Sequence, residues 1–370
     1  MAGIYLHIPF CRQACHYCNF HFTTSTAYKN ELVGALLKEM ELRRDYLGAE
    51  PVETVYFGGG TPSLLGQQEL ASLLDALRSH FTLVPGAEIT LEANPDDIHA
   101  GQLAGWRQTG INRLSIGVQS FFEEDLRAMN RAHTARQAES SLDAALEQGF
   151  SNITVDLIYG QPGLTDARWK SNVDRLLARQ VPHLSCYALT VEPRTPLAKQ
   201  IRLGQSPQVD PDQQAAQFLL LMDWMEAAGF EHYEISNFAL PGYRSRHNTS
   251  YWQGKKYLGL GPSAHSYDGQ SRQWNVANNQ RYLEGIRQNQ PVFEREVLTP
   301  AQQLNEYVMT SLRTGEGLDL DRTEPGQSHR LLALSRKYLE RGLMQQAGSH
   351  LRLTREGKLL ADGIAADLFL

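Results

Sequence analysis

Cys11, Cys15 and Cys18 fall within one short run, HIPFCRQACHYCNF, and are three of the four cysteines in 370 residues. A C-x3-C-x2-C loop offers three thiolates to a cubane [4Fe–4S] cluster and leaves the fourth iron open. An open iron can bind a small chelating ligand and pass it one electron. Structural zinc competes for the same residues, since His16 or His21 could complete a four-ligand set. A disulfide framework fits poorly, because three clustered cysteines cannot all pair and nothing suggests secretion. Cys186, in HLSCYALT, reads as a buried small apolar residue.

Other residues could serve chemistry. Gly58-Gly59-Gly60-Thr61-Pro62 ends an apolar run. It is neither a Walker A nor a G-x-G-x-x-G fingerprint. Its physical use is close approach of backbone to a ligand, although such runs also make ordinary tight turns. Glu92, Gln119, Arg131 and Asp156 are polar residues at or after the ends of apolar runs. Their plain reading is rim ion pairing, with Arg131 against Glu92 or Asp156. RHNTSYW brings together His247, Asn248, Tyr251 and Trp252. A histidine among aromatics is more often a packed or capping residue than a metal ligand. His265, in LGLGPSAHSY, is a second isolated histidine.

The elements that must position these residues alternate. Between residues 3 and 190, β-branched or aromatic runs (GIYLHIPF, ETVYFGG, AEITLEAN, RLSIGVQS, NITVDLIYG, HLSCYALT) are separated by stretches with helical spacing. One of these is AYKNELVGALLKEMELRR, with Leu32, Leu36, Met40 and Arg43 about a turn apart. Such alternation predicts an α/β fold with parallel strands and right-handed crossovers. Six units make an open (β/α)6 barrel; a doubly wound sheet is the alternative. The unusual residues cluster at strand ends, and in barrels the C-terminal rim of the strands carries the chemistry. We divide the chain into a barrel over 1–190, an irregular α+β extension over 191–297 that covers the barrel's open side and carries H-N-x-x-Y-W, and a C-terminal winged-helix-like domain over 298–370.

Composition is that of a soluble globular protein, 42% hydrophobic and 21% charged. A net charge of −6 supplies no general field for nucleic acid. The C-terminal segment has as many basic as acidic side chains, so it reads as a lid or docking domain rather than a DNA reader. No stretch approaches a membrane span, and MAGIYLHIPF lacks the basic start of a signal peptide. These features predict a cytoplasmic protein, with peripheral membrane contact and a homodimer left open.

YLHIPFCRQACHYCNF resembles the opening of radical S-adenosylmethionine (SAM) proteins, and more narrowly the branch that holds oxygen-independent coproporphyrinogen III oxidase and the haem-chaperone group HemW. The resemblance implies a radical SAM barrel with a [4Fe–4S] cluster on Cys11, Cys15 and Cys18 and SAM chelated by the open iron. It carries over Tyr17 as the aromatic beside the adenine. Gly59, Gly60 and Thr61 would bind the methionine part of SAM, Glu92 and Arg131 its charged end, and Gln119 and Asp156 the ribose hydroxyls. Tyr5 matches a further SAM contact. The family usually has a glycine near the arginine in the stretch MNRAHT, where this chain has Asn130.

H-N-x-x-Y-W is similar to the haem-linked signature of the HemW group, which implies His247 as a haem-iron ligand with Asn248, Tyr251 and Trp252 around the haem. His265 ranks below it, because it aligns with a position near SAM in the oxidase. The oxidase has a further cysteine two positions after the third, where this chain has Phe20, and an extension ahead of the cluster strand, which here starts almost at residue 1. The resemblance therefore implies a haem chaperone that binds haem and hands it to apo-haemoproteins. The alternatives are an oxidase that decarboxylates two propionates to vinyls, and a radical SAM enzyme with another substrate.

Overall fold

A computed structural model describes residues 1–370. Six strands run parallel in chain order: β1 (Ala2–Ile8), β2 (Val52–Gly59), β3 (Leu83–Ala93), β4 (Arg113–Gln119), β5 (Ile153–Tyr159) and β6 (His183–Ala188). The crossovers carry α1 (Lys29–Leu42), α2 (Gln67–His80), α3 (Ala100–Thr109), α4 (Glu123–Ala128), α5 (Ala135–Glu147) and α6 (Asp166–Ala178). This is the (β/α)6 barrel expected from the alternation. β1 and β6 do not pair with each other, so the barrel stays open on one side.

Residues beyond 190 lengthen the same sheet at both edges. After α7 (Pro196–Arg202) and α8 (Pro211–Ala227), β7 (Glu231–Glu234) and β8 (Asn237–Ala239) add antiparallel strands beyond β6. After α9 (Arg246–Trp252), β9 (Tyr257–Leu260) pairs parallel to β1. Antiparallel β10 (His265–Tyr267), β11 (Ser271–Asn275) and β12 (Phe293–Val297) follow, with α10 (Asn279–Arg287) before the last. The result is a twelve-stranded sheet. One core serves barrel and extension, since Phe218, Leu221, Phe238, Leu258 and Tyr282 are buried with Trp106 and Trp169.

The C-terminal unit has its own core of 14 buried residues. It runs α11 (Pro300–Leu312), β13 (Leu318–Asp319), α12 (Pro325–Glu340), the hairpin β14 (Met344–Ala347) and β15 (His350–Leu353), then α13 (Arg355–Lys358) and α14 (Ala361–Asp367). That is the winged-helix-like outline. α11 spans the barrel's gap. Glu306 on it takes the Arg272 guanidinium of β11 at 2.8 Å, and Arg313 at its end reaches Glu234 of β7 at 3.2 Å. Seven residues of helix rise about 10 Å, so α11 ties β11 on one side of the gap to β7 on the other. No helix is long and apolar enough to cross a membrane.

Candidate active site

Each barrel strand alternates, and the alternation builds the site. Val55 and Phe57, Ile89 and Leu91, Leu114 and Ile116, and Leu184 and Cys186 are buried in the core. The residues between them, Tyr56, Thr90, Glu92, Arg113, Ser115, Thr154, Asp156, Ser185 and Tyr187, line a small polar cavity instead. Parallel strands buried on both faces usually read as unbroken apolar runs. A polar inner face marks a lumen shaped for a polar ligand.

The cysteine loop follows β1. Its three thiols are free and half-buried. Burial pushes Cys11 up to about 11 and also raises Cys18, so the thiolates need positive partners. One is present, since Arg131 Nη1 donates to Cys15 Sγ at 3.3 Å. An iron–sulfur cluster would supply the rest, and three free thiols on one braced loop fit it. The zinc alternative does not fit: no three Cys, His, Asp or Glu side chains converge as single-ion ligands. His16 Nδ1 is bonded to the Ala128 carbonyl at 2.9 Å and His21 Nε2 to Asn279 at 2.7 Å, which fixes both rings, and neither is grouped with the cysteines as a metal-binding set.

Asn130 braces the loop. Its φ is 55°, the left-handed region that glycine fills most easily and asparagine tolerates best. The departure from the family's glycine therefore keeps a glycine-like backbone. It also adds bonds, because Asn130 Nδ2 donates to the Ala14 carbonyl at 2.7 Å and Asn130 Oδ1 accepts from Gln13 Nε2 at 2.8 Å. Arg131 is thereby aimed at Asn94 and at the Gly117 carbonyl, 2.7 Å away. It pairs with neither Glu92 nor Asp156, which overturns the rim ion-pair reading.

The glycine run after β2 lies against the cluster loop. A Cβ on Gly60 would come within 2.6 Å of the Phe10 carbonyl, and one on Gly59 (φ 111°) within 2.7 Å of the His7 ring. Gly60 and Thr61 N–H groups donate to Ile8 and Phe10 carbonyls at 2.8 and 2.6 Å. Glu92 accepts from the Gly59 N–H at 3.2 Å and the Tyr56 hydroxyl at 2.8 Å. Burial, with Asp156 nearby, still pushes its carboxyl up to about 7. Burial pushes Asp156 up to about 7 as well, against Ser185, Arg131 and Arg113. Gln119 has φ 69° where the β4–β5 register slips, and its amide lies beside Gly117 and Arg131. A bulge and a strained backbone at a strand end re-aim a side chain. Two half-neutral carboxyls and one guanidinium round a glycine-rich turn suit a ligand that carries both ammonium and carboxylate.

Tyr5 stacks on Tyr56 and bonds His7 at 3.2 Å. Tyr17 packs beside Leu126, Met129 and Leu197, with Cys15 and Arg131 as neighbours. Tyr56, Arg113 and His7 also belong to the site and were not singled out from the sequence. Their signal was the alternation of polar and apolar residues along each strand.

The H-N-x-x-Y-W residues fall elsewhere. α9 meets the N-terminal halves of the strands, opposite the cysteines. Its Arg246 and His247 N–H groups donate to Glu88 at 3.1 and 2.9 Å. His247 is 1% exposed. Its Nδ1 bonds Thr54 Oγ1 at 2.8 Å, its Nε2 bonds the Tyr251 hydroxyl at 2.8 Å, and its ring stacks on Tyr56 at 4.9 Å. Both nitrogens of His247 are committed and its ring has no open face, so in this arrangement it is a packed histidine turned away from the cleft. Asn248 lines the polar lumen. Tyr251 and Trp252 face a second, larger space.

That space is a cleft of about 810 Å³ along the barrel's open side. One wall is Tyr5, His7, Tyr257 and His265 of the sheet; the other is Tyr307, Met309 and Arg322 of the C-terminal unit. The stretch Asn19–His21, directly after Cys18, forms one end.

A sequence model of the radical SAM superfamily matches residues 5–176, and one of the HemN C-terminal domain matches residues 298–360. The haem chaperone HemW of Mycobacterium tuberculosis is 39% identical over 99% of this chain and 94% of its own. HemW of Bacillus subtilis is 34% identical over 98% of each chain, and that of Escherichia coli 36% identical over 71% of this chain and 69% of its own. The solved structure of Escherichia coli coproporphyrinogen III oxidase HemN, a radical SAM enzyme, superposes with a TM-score of 0.86 over 100% of this chain and 90% of that one, at 25% identity.

Proposed function

The chain belongs to the HemW family of radical SAM proteins, and we propose that it is a haem chaperone that carries haem as cargo and releases it to apo-haemoproteins. The observation that carries this reading is the cleft of about 810 Å³ with aromatic and histidine walls beside the cluster loop. A flat, largely apolar ligand with a metal centre suits such walls, because aromatics cover a porphyrin face and imidazole takes haem iron.

Cys11, Cys15 and Cys18 would hold the [4Fe–4S] cluster. Tyr5, Tyr17, Gly59, Gly60, Thr61, Glu92, Gln119, Arg131 and Asp156 would hold SAM. A cluster held on these cysteines would supply one electron to SAM bound beside it. The chain's own residues supply the setting. Asn130 and Arg131 fix the loop and its charge, the glycine turn admits the ligand to backbone distance, and Glu92 offers a carboxylate to an ammonium.

Coproporphyrinogen oxidation is the second reading, favoured by the superposition on HemN. Against it stands Phe20, which occupies the place of the oxidase's further cysteine and is 69% exposed at the cleft. The test is a haem titration of the anaerobically reconstituted protein, followed by mixing with an apo-haemoprotein. Saturation near one haem per chain and transfer to the acceptor are expected. Absence of specific binding, together with CO2 release from coproporphyrinogen III given SAM and a reductant, would replace the chaperone with the oxidase.

A further inference from the structure

We propose that the cargo haem lies between the barrel's open side and the C-terminal unit, with His265 as its axial ligand from the protein. This rests on the haem-chaperone reading and names the site within it. Four histidines border the cleft or its motif; two have both ring nitrogens committed and a third has one. His247 bonds Thr54 and Tyr251. His7 bonds the Tyr5 hydroxyl at 3.2 Å and the His21 carbonyl at 2.8 Å. His21 bonds Asn279 at 2.7 Å. His265, on β10, is exposed in the cleft and neither of its ring nitrogens makes a hydrogen bond. Its ring lies along Trp274, 6.2 Å between centroids and 29° between planes, which holds the imidazole's orientation. Partial burial and then Arg272 hold it below the usual histidine range, so it is neutral near pH 7 and its lone pair is free for iron.

The rest of the cleft fits the porphyrin. Phe20 is 69% exposed and Met309 41%, large apolar side chains that water covers poorly and a macrocycle would cover well. For the propionates, two of the three cations in the cleft are already paired, Lys255 with Glu53 and Arg272 with Glu306. Arg322 has no carboxylate partner; its guanidinium lies over the Tyr307 ring at 4.6 Å. The C-terminal unit thus supplies the uncommitted charge and the sheet the uncommitted imidazole.

Hemin is the probe, titrated into cluster-loaded wild type, His265→Ala and Arg322→Ala, read by difference absorbance in the Soret region and by ferric-haem EPR. Cluster content and circular dichroism report folding; truncating His265 leaves no buried partner unpaired. Wild type should saturate. His265→Ala should bind about tenfold weaker or worse, with a changed ferric EPR signal that added imidazole restores. Arg322→Ala should weaken hemin but not hemin dimethyl ester. Wild-type affinity and an unchanged EPR signal in His265→Ala would overturn His265 as the ligand, and equal losses for hemin and its diester would overturn the Arg322 contact. Wild type that binds no hemin would overturn the chaperone reading itself, a different outcome from either.

Discussion

His247→Ala is expected to remove about 3–5 kcal/mol of folding stability, whatever it does to haem. The imidazole is 1% exposed. Its loss strands the Thr54 hydroxyl and the Tyr251 hydroxyl, each hydrogen-bonded to it at 2.8 Å. An unpaired buried polar group costs about 1–3 kcal/mol, and the lower half of that range applies where a hydroxyl can turn to a new acceptor. The ring also stacks on Tyr56 at 4.9 Å and meets Tyr251 edge-on at 4.8 Å, each such pair contributing about 0.5–1.5 kcal/mol. Domains of this kind have about 5–15 kcal/mol in total, so the variant should unfold at markedly lower urea. The assay is urea unfolding of the cluster-free chain followed by circular dichroism. Thr54→Val, which orphans one imidazole nitrogen, supplies the second arm of a double-mutant cycle, with a coupling of about 0.5–3 kcal/mol expected. A His247→Ala midpoint equal to wild type would refute the account, since a surface ligand could be removed at about 0.5 kcal/mol or less.

Cys11→Ser, Cys15→Ser or Cys18→Ser should each abolish iron loading measured after reconstitution, whereas Cys186→Ala, buried in the sheet, should load iron normally; normal loading in Cys15→Ser would refute the loop as the cluster site. In the SAM-free chain the Glu92 carboxyl, held near 7 against 4.5 unfolded, contributes stability below pH 4.5 that is lost as pH rises through about 7. An ammonium ligand needs the carboxylate, so SAM binding should release a proton and tighten with pH up to about 7, by at most about tenfold per unit. Glu92→Gln should remove its share of both profiles and leave that of Asp156, also raised to about 7; calorimetry in buffers of different ionisation enthalpy that shows no proton release in wild type would contradict this role. Gly60→Ala should cost about 1–3 kcal/mol or more and impair cluster loading, because its Cβ meets two backbone carbonyls within 2.9 Å. Gly34→Ala on exposed α1, with nothing within 4 Å, should instead stabilise by about 0.5–1 kcal/mol in the same urea assay.

The barrel was legible because local signals agree. β-branched runs, helical spacing and chemistry-bearing residues at run ends all point to one parallel architecture, and the structure has six parallel strands in chain order. The extension was not legible in detail. β7 to β11 are three to five residues long, and the pairings that join them to the barrel are distant in the chain: β9 docks against β1, and β8 against β6. Short strands paired over such distances leave no periodicity to read. The lumen was legible but went unread, because Tyr56, Arg113 and Thr154 alternate with core residues as regularly as Glu92 and Asp156 do. His247 shows the opposite limit. The residue type and its aromatic neighbours fit both an axial ligand and a packed histidine, and the bond to Thr54, 193 residues earlier in sequence and adjacent in space, shows in no local pattern.

The spacing of H-N-x-x-Y-W then acquires a physical meaning of its own. Residues four apart on a helix lie one above the other, so His247 and Tyr251 share a face and bond each other at 2.8 Å. His247 is anchored to β2 through Thr54, and Tyr251 and Trp252 stand in the cleft wall. The motif transmits the position of the barrel wall to two aromatics that would flank a porphyrin. Loss of haem in a His247 variant is therefore expected from either role, ligand or anchor, and does not separate them. The separation comes from pairing it with His265, where truncation removes a free imidazole and leaves the fold's hydrogen bonds intact. If haem binding tracks His247 only as far as stability does, while the ferric spectrum tracks His265, the motif is the frame of the cleft and the β10 histidine is its ligand.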